Sequence, residues 1–156
     1  EQNPRPSHKS LKPHRPCRIA VASMSPSPAR LRLTAFIGLV SIVLGALGAH
    51  GHVHDVISTN GYLAQWQTAA HYHQIHSVAL LLLSLLAFDS GHTARFRAAF
   101  VAFVIGILLF SGSLYVLAYT SIKWLGAVTP LGGVAFMIGW ASLAFAWPRV
   151  STASSR

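Results

Sequence analysis

Apolar residues in this chain gather into long runs separated by short polar stretches. The runs are Leu33 to Ala49, Ile75 to Phe88, Ala98 to Tyr119 behind Phe96-Arg97, and Pro130 to Trp147. Each is a candidate membrane span, because a transmembrane helix takes about 20 predominantly apolar residues at about 1.5 Å of rise per residue. The second run falls short: Ile75 to Phe88 covers about 21 Å against a hydrocarbon core of about 30 Å. Its helix must borrow residues upstream, which brings the histidines there into or up to the membrane. The pattern predicts spans over 31–49, 69–88, 97–119 and 129–147, inside a domain of residues 29–149. Lipid leaves no water for open backbone groups, and the runs are too long for barrel strands. The predicted fold class is therefore all-α, a polytopic membrane bundle of four transmembrane helices. Thr129 is placed to cap the last helix, Pro130 suits its first position, and Trp147-Pro148-Arg149 marks its end.

Lys and Arg around the runs predict the direction of insertion. Arg30 and Arg32 precede the first run, Arg95 and Arg97 lie between the second and third, and Arg149 and Arg156 follow the fourth. The stretch His50 to Gln65 has neither Lys nor Arg, and the third connection has only Lys123. The expectation is N-in/C-in, with both termini cytoplasmic.

Composition agrees with a membrane setting. The chain has 156 residues, 53% hydrophobic and only 10% charged, with a mean hydropathy of +0.50; soluble domains carry about 25% charged residues. A formal charge of +9 invites nucleic acid as a partner, yet the basic residues sit in the N-terminal tail and beside the apolar runs rather than on one face. Nucleic-acid binding is not expected. Residues 1–28 form a basic, proline-rich tail that cannot bury enough surface to fold. Met24 reads as the natural start, and removing Glu1 to Ser23 is expected to leave insertion intact. A mitochondrial presequence is the alternative for the tail, which its prolines disfavour. Residues 150–156 form a short C-terminal tail. Cys17, the single cysteine, offers neither a disulfide nor a thiolate metal cluster. A cleaved signal is the alternative for Leu33 to Ala49, but that stretch is long for one, and an anchor is the preferred reading.

Small residues indicate how the helices touch. Ser41, Gly45 and Ala49 recur at every fourth position of the first span, Ala135 and Gly139 in the last, and Gly112, Gly132 and Gly133 join them as packing positions. Ser111-Gly112-Ser113 lies in mid-span, where hydroxyls serve as packing glue or line a polar notch.

The histidines are the chemically suggestive constellation. His50, His52 and His54 alternate beyond the first span, and His71, His73 and His76 open the second. With Asp55 nearby they could ligate a metal, or two could hold a heme. No glutamate or cysteine completes a metal motif, so neither metal nor cofactor is expected. His76 lies where lipid cannot accept an ionisable group, and it should turn into the bundle. Tyr72 is four residues earlier on the same face. The pair is expected to be a neutral hydrogen-bonded lock to the Ser111–Ser113 region or to His50; a proton relay is the competing reading. The stretch from His50 to Gln65 is expected to add a short surface helix including Trp66, with its ring at the interface.

Local patterns together resemble the small YgdD-like family of bacterial inner-membrane proteins, a domain of unknown function. They are Leu44-Gly45-Ala46-Leu47-Gly48-Ala49-His50, then Trp66-Gln67-Thr68-Ala69 leading to Tyr72 and His76, then Leu109-Phe110-Ser111-Gly112-Ser113-Leu114-Tyr115, and Thr129-Pro130-Leu131-Gly132-Gly133 with Gly139-Trp140. The resemblance covers Leu33 to Pro148 and implies a four-span plasma-membrane protein without assigned chemistry. His50, Tyr72 and His76 fall within the pattern; His52, His54, His71 and His73 do not.

The functional expectation is a non-enzymatic structural or interaction component of the membrane. Its alternative is a small transporter, proton conductor or metal- or heme-handling protein using His50, Tyr72 and His76, with Ser111 and Ser113 completing a polar intramembrane site. Expected partners are the lipid bilayer and other membrane proteins or further copies of the chain. The expected location is a bacterial inner membrane, with the mitochondrial inner membrane as the alternative.

Overall fold

A computed structural model of the chain describes residues 27–85 and 93–146. The expectations for the basic tail with Cys17 and Met24, the end of the second run at Phe88, the stretch around Asp89, the Trp147-Pro148-Arg149 stop and residues 150–156 lie outside the described residues. Among the described residues all regular structure is helical: α1 (Pro28–Ala49), α2 (Gly51–Thr59), α3 (Leu63–Leu85), α4 (Thr93–Gly106), a π turn (Ile107–Ser111), α5 (Gly112–Thr120), a 3-10 turn (Lys123–Ala127) and α6 (Thr129–Ala144). The α4, π and α5 segments form one continuous long helix.

Local chemistry sets the joints. Pro28 stands in the first turn of α1, where a missing N–H costs nothing. The chain breaks at His50 and turns at once into α2 through Gly51 at φ +76°, a left-handed conformation that L side chains adopt only with strain. Asn60 closes α5 from a distance: its side-chain amide donates to the carbonyls of Ala118 and Tyr119, each at 3.0 Å. Those carbonyls lie in the last turn of α5, where intrahelical partners run out.

Among the described residues three segments are long and apolar enough to cross a membrane: Pro28–Ala49, Ala94–Thr120 and Lys123–Ala144. α3 is 23 residues long, but Gln65, Gln67, His71, His73, Gln74 and His76 dilute its first half. Its helix begins at Leu63, earlier than the 69 expected from hydropathy, so these histidines lie more than two turns inside it.

Successive long helices run antiparallel. Trp66 of α3 meets Leu44 near the end of α1, Trp66 also packs on Tyr115 of α5, and the Arg95 guanidinium at the start of α4 donates to the Phe145 carbonyl beyond the end of α6. The core divides accordingly. One cluster joins Ile57, Trp66, Ala69, Leu114, Tyr115, Leu117 and Ala118 at the α2 end, and the other joins Leu80, Leu83, Ala99, Phe103, Ile107 and Phe136 toward the opposite end. Ile57, fully buried, is how the short α2 holds on to the bundle.

Several local expectations are corrected. Trp66 is not in the surface helix, which ends at Thr59, and its ring is not at an interface: it is buried, with its indole N–H donating to the Leu44 carbonyl at 2.9 Å. Gly48 makes this possible, since a Cβ there would overlap the indole. The small-residue stripe of α1 therefore runs through Ser41, Gly45 and Gly48 rather than to Ala49, which is exposed; with about 3.6 residues per turn a strict four-residue spacing drifts off the contact face. Thr129 does not cap α6, whose cap is Val128. The preceding 3-10 turn already offers the Val128 carbonyl to the Leu131 N–H at 3.1 Å, and the Thr129 hydroxyl is engaged with Ser113 instead.

Candidate functional site

The polar residues singled out in the spans lie where α3, the long helix and α6 meet. His76 is buried at 4% exposure. Its Nδ1 sits 2.8 Å from the Tyr72 carbonyl, and the Trp140 indole N–H donates to its Nε2 at 3.2 Å. An indole nitrogen is a donor only, so Nε2 is the accepting nitrogen and Nδ1 carries the proton that goes to the carbonyl. Both nitrogens of a neutral ring are thereby satisfied. The ring faces are covered too: Phe136 stacks on the imidazole with centroids 3.6 Å apart and an interplanar angle of 13°, and Phe103 meets it edge-on at 5.2 Å.

Two expectations about His76 change. Its partner on another helix is Trp140, not His50 or the Ser111–Ser113 region. Tyr72 contributes its backbone carbonyl, while its phenol ring, 40% exposed, leans on Phe110 at 4.6 Å between centroids. The geometry follows from helix spacing: a carbonyl four residues back is within reach of an imidazole on the same face, whereas the Tyr72 ring extends outward past it. Tyr72, His76, Phe110, Pro130, Gly133, Phe136, Met137 and Trp140 together line an open cleft.

The serines part company. The Ser113 hydroxyl lies 3.0 Å from the Thr129 hydroxyl and bonds the Phe110 carbonyl at 3.1 Å, tying the long helix to the start of α6. Ser111, fully buried, has no partner for its Oγ. His50 is exposed and caps nothing with its side chain. His54, by contrast, reaches back to the Gly48 carbonyl at 2.9 Å and closes the end of α1. Among the described residues no three His, Cys, Asp or Glu side chains come together in a way that could hold a metal ion.

The glycines differ as sharply. A Cβ on Gly132 would fall against the Phe110 backbone, 2.7 Å from its Cα, and one on Gly139 would strike the Phe103 ring. These are close approaches between α6 and the long helix of the kind small residues permit. Gly45 faces Gln74 at 3.1 Å, while Gly112 and Gly133 have ordinary clearance. Gly106, which lies outside the small-residue spacings of the sequence, is overlaid by the Phe136 ring. Also unsignalled were Trp140 as the partner of His76, and His73 and Tyr115, both buried with an unpartnered polar atom. The place of Tyr115 four residues after Ser111 on one helix face was the available clue.

Comparison with known proteins places this bundle. Residues 44–133 match the model of a family described as a protein of unknown function, DUF423. The chain is 45% identical to the UPF0382 membrane protein YwdK of Bacillus subtilis over 109 residues, covering 69% of this chain and 86% of the relative. It is 40% identical to the UPF0382 membrane protein SAB0533 of Staphylococcus aureus over 114 residues, 73% of this chain and 90% of the relative. A UPF0382 membrane protein of Haemophilus influenzae shares 40% over 115 residues, 74% and 90% of the two chains. No solved structure matches. With more than half the chain matched by the family model and relatives covered nearly end to end, this is a membrane protein of the DUF423 family, to which no molecular function is assigned.

Proposed function

We propose that this protein is a non-enzymatic structural or interaction component of a bacterial inner membrane, built of four spans with both termini in the cytoplasm and close to the YgdD-like branch of its family. The observation that carries the reading is how the polar side chains inside the helices are used. Trp66 to Leu44, His76 to Trp140 and Ser113 to Thr129 are bonds between elements, and Ser41, Ser77 and Ser84 bond their own preceding turns. Groups committed to holding helices together are not free to handle a substrate. α3 supplies the fourth span, its polar half turned onto protein through Trp66, His73, His76 and Ser77. Arg30 and Arg32 at the start of α1 share one end of the bundle with Arg95 and Arg97, while Lys123 lies at the other, which supports the cytoplasmic assignment of the arginine end.

Partners are then other membrane proteins or further copies of this chain. α1 and α6 present broad apolar faces, including Phe36, Leu39 and Ile42 on one and Leu131, Met137 and Phe145 on or beside the other. Purification of the native protein in mild detergent, followed by mass spectrometry and metal analysis, tests the reading. A reproducible membrane-protein partner or a defined homo-oligomer is expected; a stoichiometric metal or heme would overturn it.

A further inference from the structure

Among the described residues, the buried side-chain polar atoms without a hydrogen-bond partner are Gln65 Oε1, His73 Nδ1, Ser111 Oγ and Tyr115 Oη. All belong either to α3 or to the stretch of the long helix from the π turn into α5. Three of them, on His73, Ser111 and Tyr115, fall along the seam between the two. Tyr115 holds it together: its ring centroid is 4.7 Å from that of Trp66 and 6.2 Å from that of His73. Because α3 and α5 are antiparallel, one turn back from Tyr115 toward Ser111 is the direction in which α3 advances from Trp66 to His73. Helical side chains also lean toward the N-terminus of their own helix, which carries the Tyr115 phenol toward the Ser111 turn. Gln65, two turns nearer α2, falls on the face of α3 that Tyr72 and His76 share and stands apart from this group.

Ser111 departs from the other buried serines at the π turn. Buried Ser41, Ser77, Ser84 and Ser113 each bond a carbonyl three or four residues back. For Ser111 the carbonyl four back is that of Ile107, and the π turn directs the Gly112 N–H onto it. π turns of this kind are found often at functional sites. His73 is 5% exposed and Tyr115 8%, so bulk water does not satisfy them, and burying such groups dry is costly.

We propose that the seam between α3 and α5 is a water-binding site, in which ordered water joins His73, Ser111 and Tyr115. The chemistry is complementary. His73 brings its unpartnered Nδ1, the ring being otherwise engaged with the Ile37 backbone, and each hydroxyl can donate or accept, which suits a molecule that makes about three hydrogen bonds when buried. Ala69, Ala70 and Ala118 add only methyl groups to this region. The seam would then be the wet line in a bundle otherwise held by direct bonds.

The test uses the full chain in lipid bilayers. Water-edited solid-state NMR should show magnetisation passing from water to the His73 and Tyr115 rings and to Ser111, and not to Ser84, which is bonded to its own turn. Transfer no greater than at Ser84 at any of the three would overturn the proposal. In parallel, Tyr115→Phe and Ser111→Ala are measured by thermal unfolding in detergent. Loss of a water ligand lowers the midpoint by about 2–5 °C in each variant. An unchanged or raised midpoint in either would mean that a dry, unsatisfied group had been removed, and would overturn it equally.

Discussion

Trp140 donates its indole N–H to Nε2 of His76 across 3.2 Å, so a polar nitrogen on α3 is met by a donor on α6. The contact is flanked by the Phe136 face and the Phe103 edge, and a low local dielectric strengthens such a bond.

The first prediction concerns that pair. Trp140→Phe and His76→Leu should each lower the unfolding midpoint in detergent, with the hydrogen bond itself contributing about 0.6 kcal/mol and at most about 1.7. The double variant should lose less than the sum, because both changes delete one interaction. Tyr72→Phe should leave the midpoint almost unchanged, since the imidazole uses the Tyr72 backbone carbonyl and not its phenol. Strict additivity of the two large changes would show that the bond carries no energy.

A second prediction contrasts glycines. Gly48→Leu should displace the Trp66 ring and break its bond to Leu44, and Gly132→Ala should push the Phe110 backbone away, where no flexible side chain can yield. Both should destabilise by about 1–3 kcal/mol, the range for overpacked cores. Gly38→Ala meets nothing within 4 Å and should be neutral or stabilise by up to about 1 kcal/mol through helix propensity. Tryptophan fluorescence of the Gly48 variant should shift as the indole leaves its pocket; an unshifted spectrum with a native midpoint would refute the notch.

Asn60 leads to a third. Its amide is the tie between the end of α2 and the last carbonyls of α5. Asn60→Ala should lower stability by about 1 kcal/mol and speed amide hydrogen exchange in α2 more than in α3. Uniform exchange rates across the two helices would place the anchor of α2 wholly in Ile57.

Topology gives a fourth. Reporters fused after Asp89 and after Pro148 should read cytoplasmic, and one inserted between Asp55 and Gly61 should read external, because arginines flank the first two sites and no Lys or Arg flanks the third. An external Asp89 fusion would reverse the assignment.

How far the fold could be read in advance follows from what lipid demands. Runs such as Leu33 to Ala49 and Ala98 to Tyr119 have only one economical backbone solution, and the inward turn of His76 needs nothing but the cost of an imidazole in hydrocarbon. Partners were harder. Trp66 carries the usual mark of an interfacial residue, and only the opposing notch at Gly48, eighteen residues away, shows that it belongs inside. Thr129-Pro130 carries the mark of a cap, and the rival claim of the Ser113 hydroxyl is a property of two helices together. His73 looked like one more of a loose set with His52, His54 and His71; burial separates it from the exposed His52 and His71, and burial depends on which face α3 offers to α5. Pairings between helices are decided by rotation about an axis, and hydropathy records depth alone.

The π turn at Ile107–Ser111 has a consequence for evolution as much as for structure. Before it, α4 lies along α6, with Phe103 over Gly139 and Phe136 over Gly106; after it, α5 lies along α3, with Tyr115 against Trp66. One surplus residue in a turn rotates everything downstream by about 100° relative to an uninterrupted α-helix. The long helix thus works as a crankshaft whose offset lets a single rod bear on two neighbours in succession. Deleting one residue here would straighten the shaft and swing Tyr115 away from Trp66, so insertions and deletions in this turn are constrained by mechanics even where the side chains are freely exchangeable.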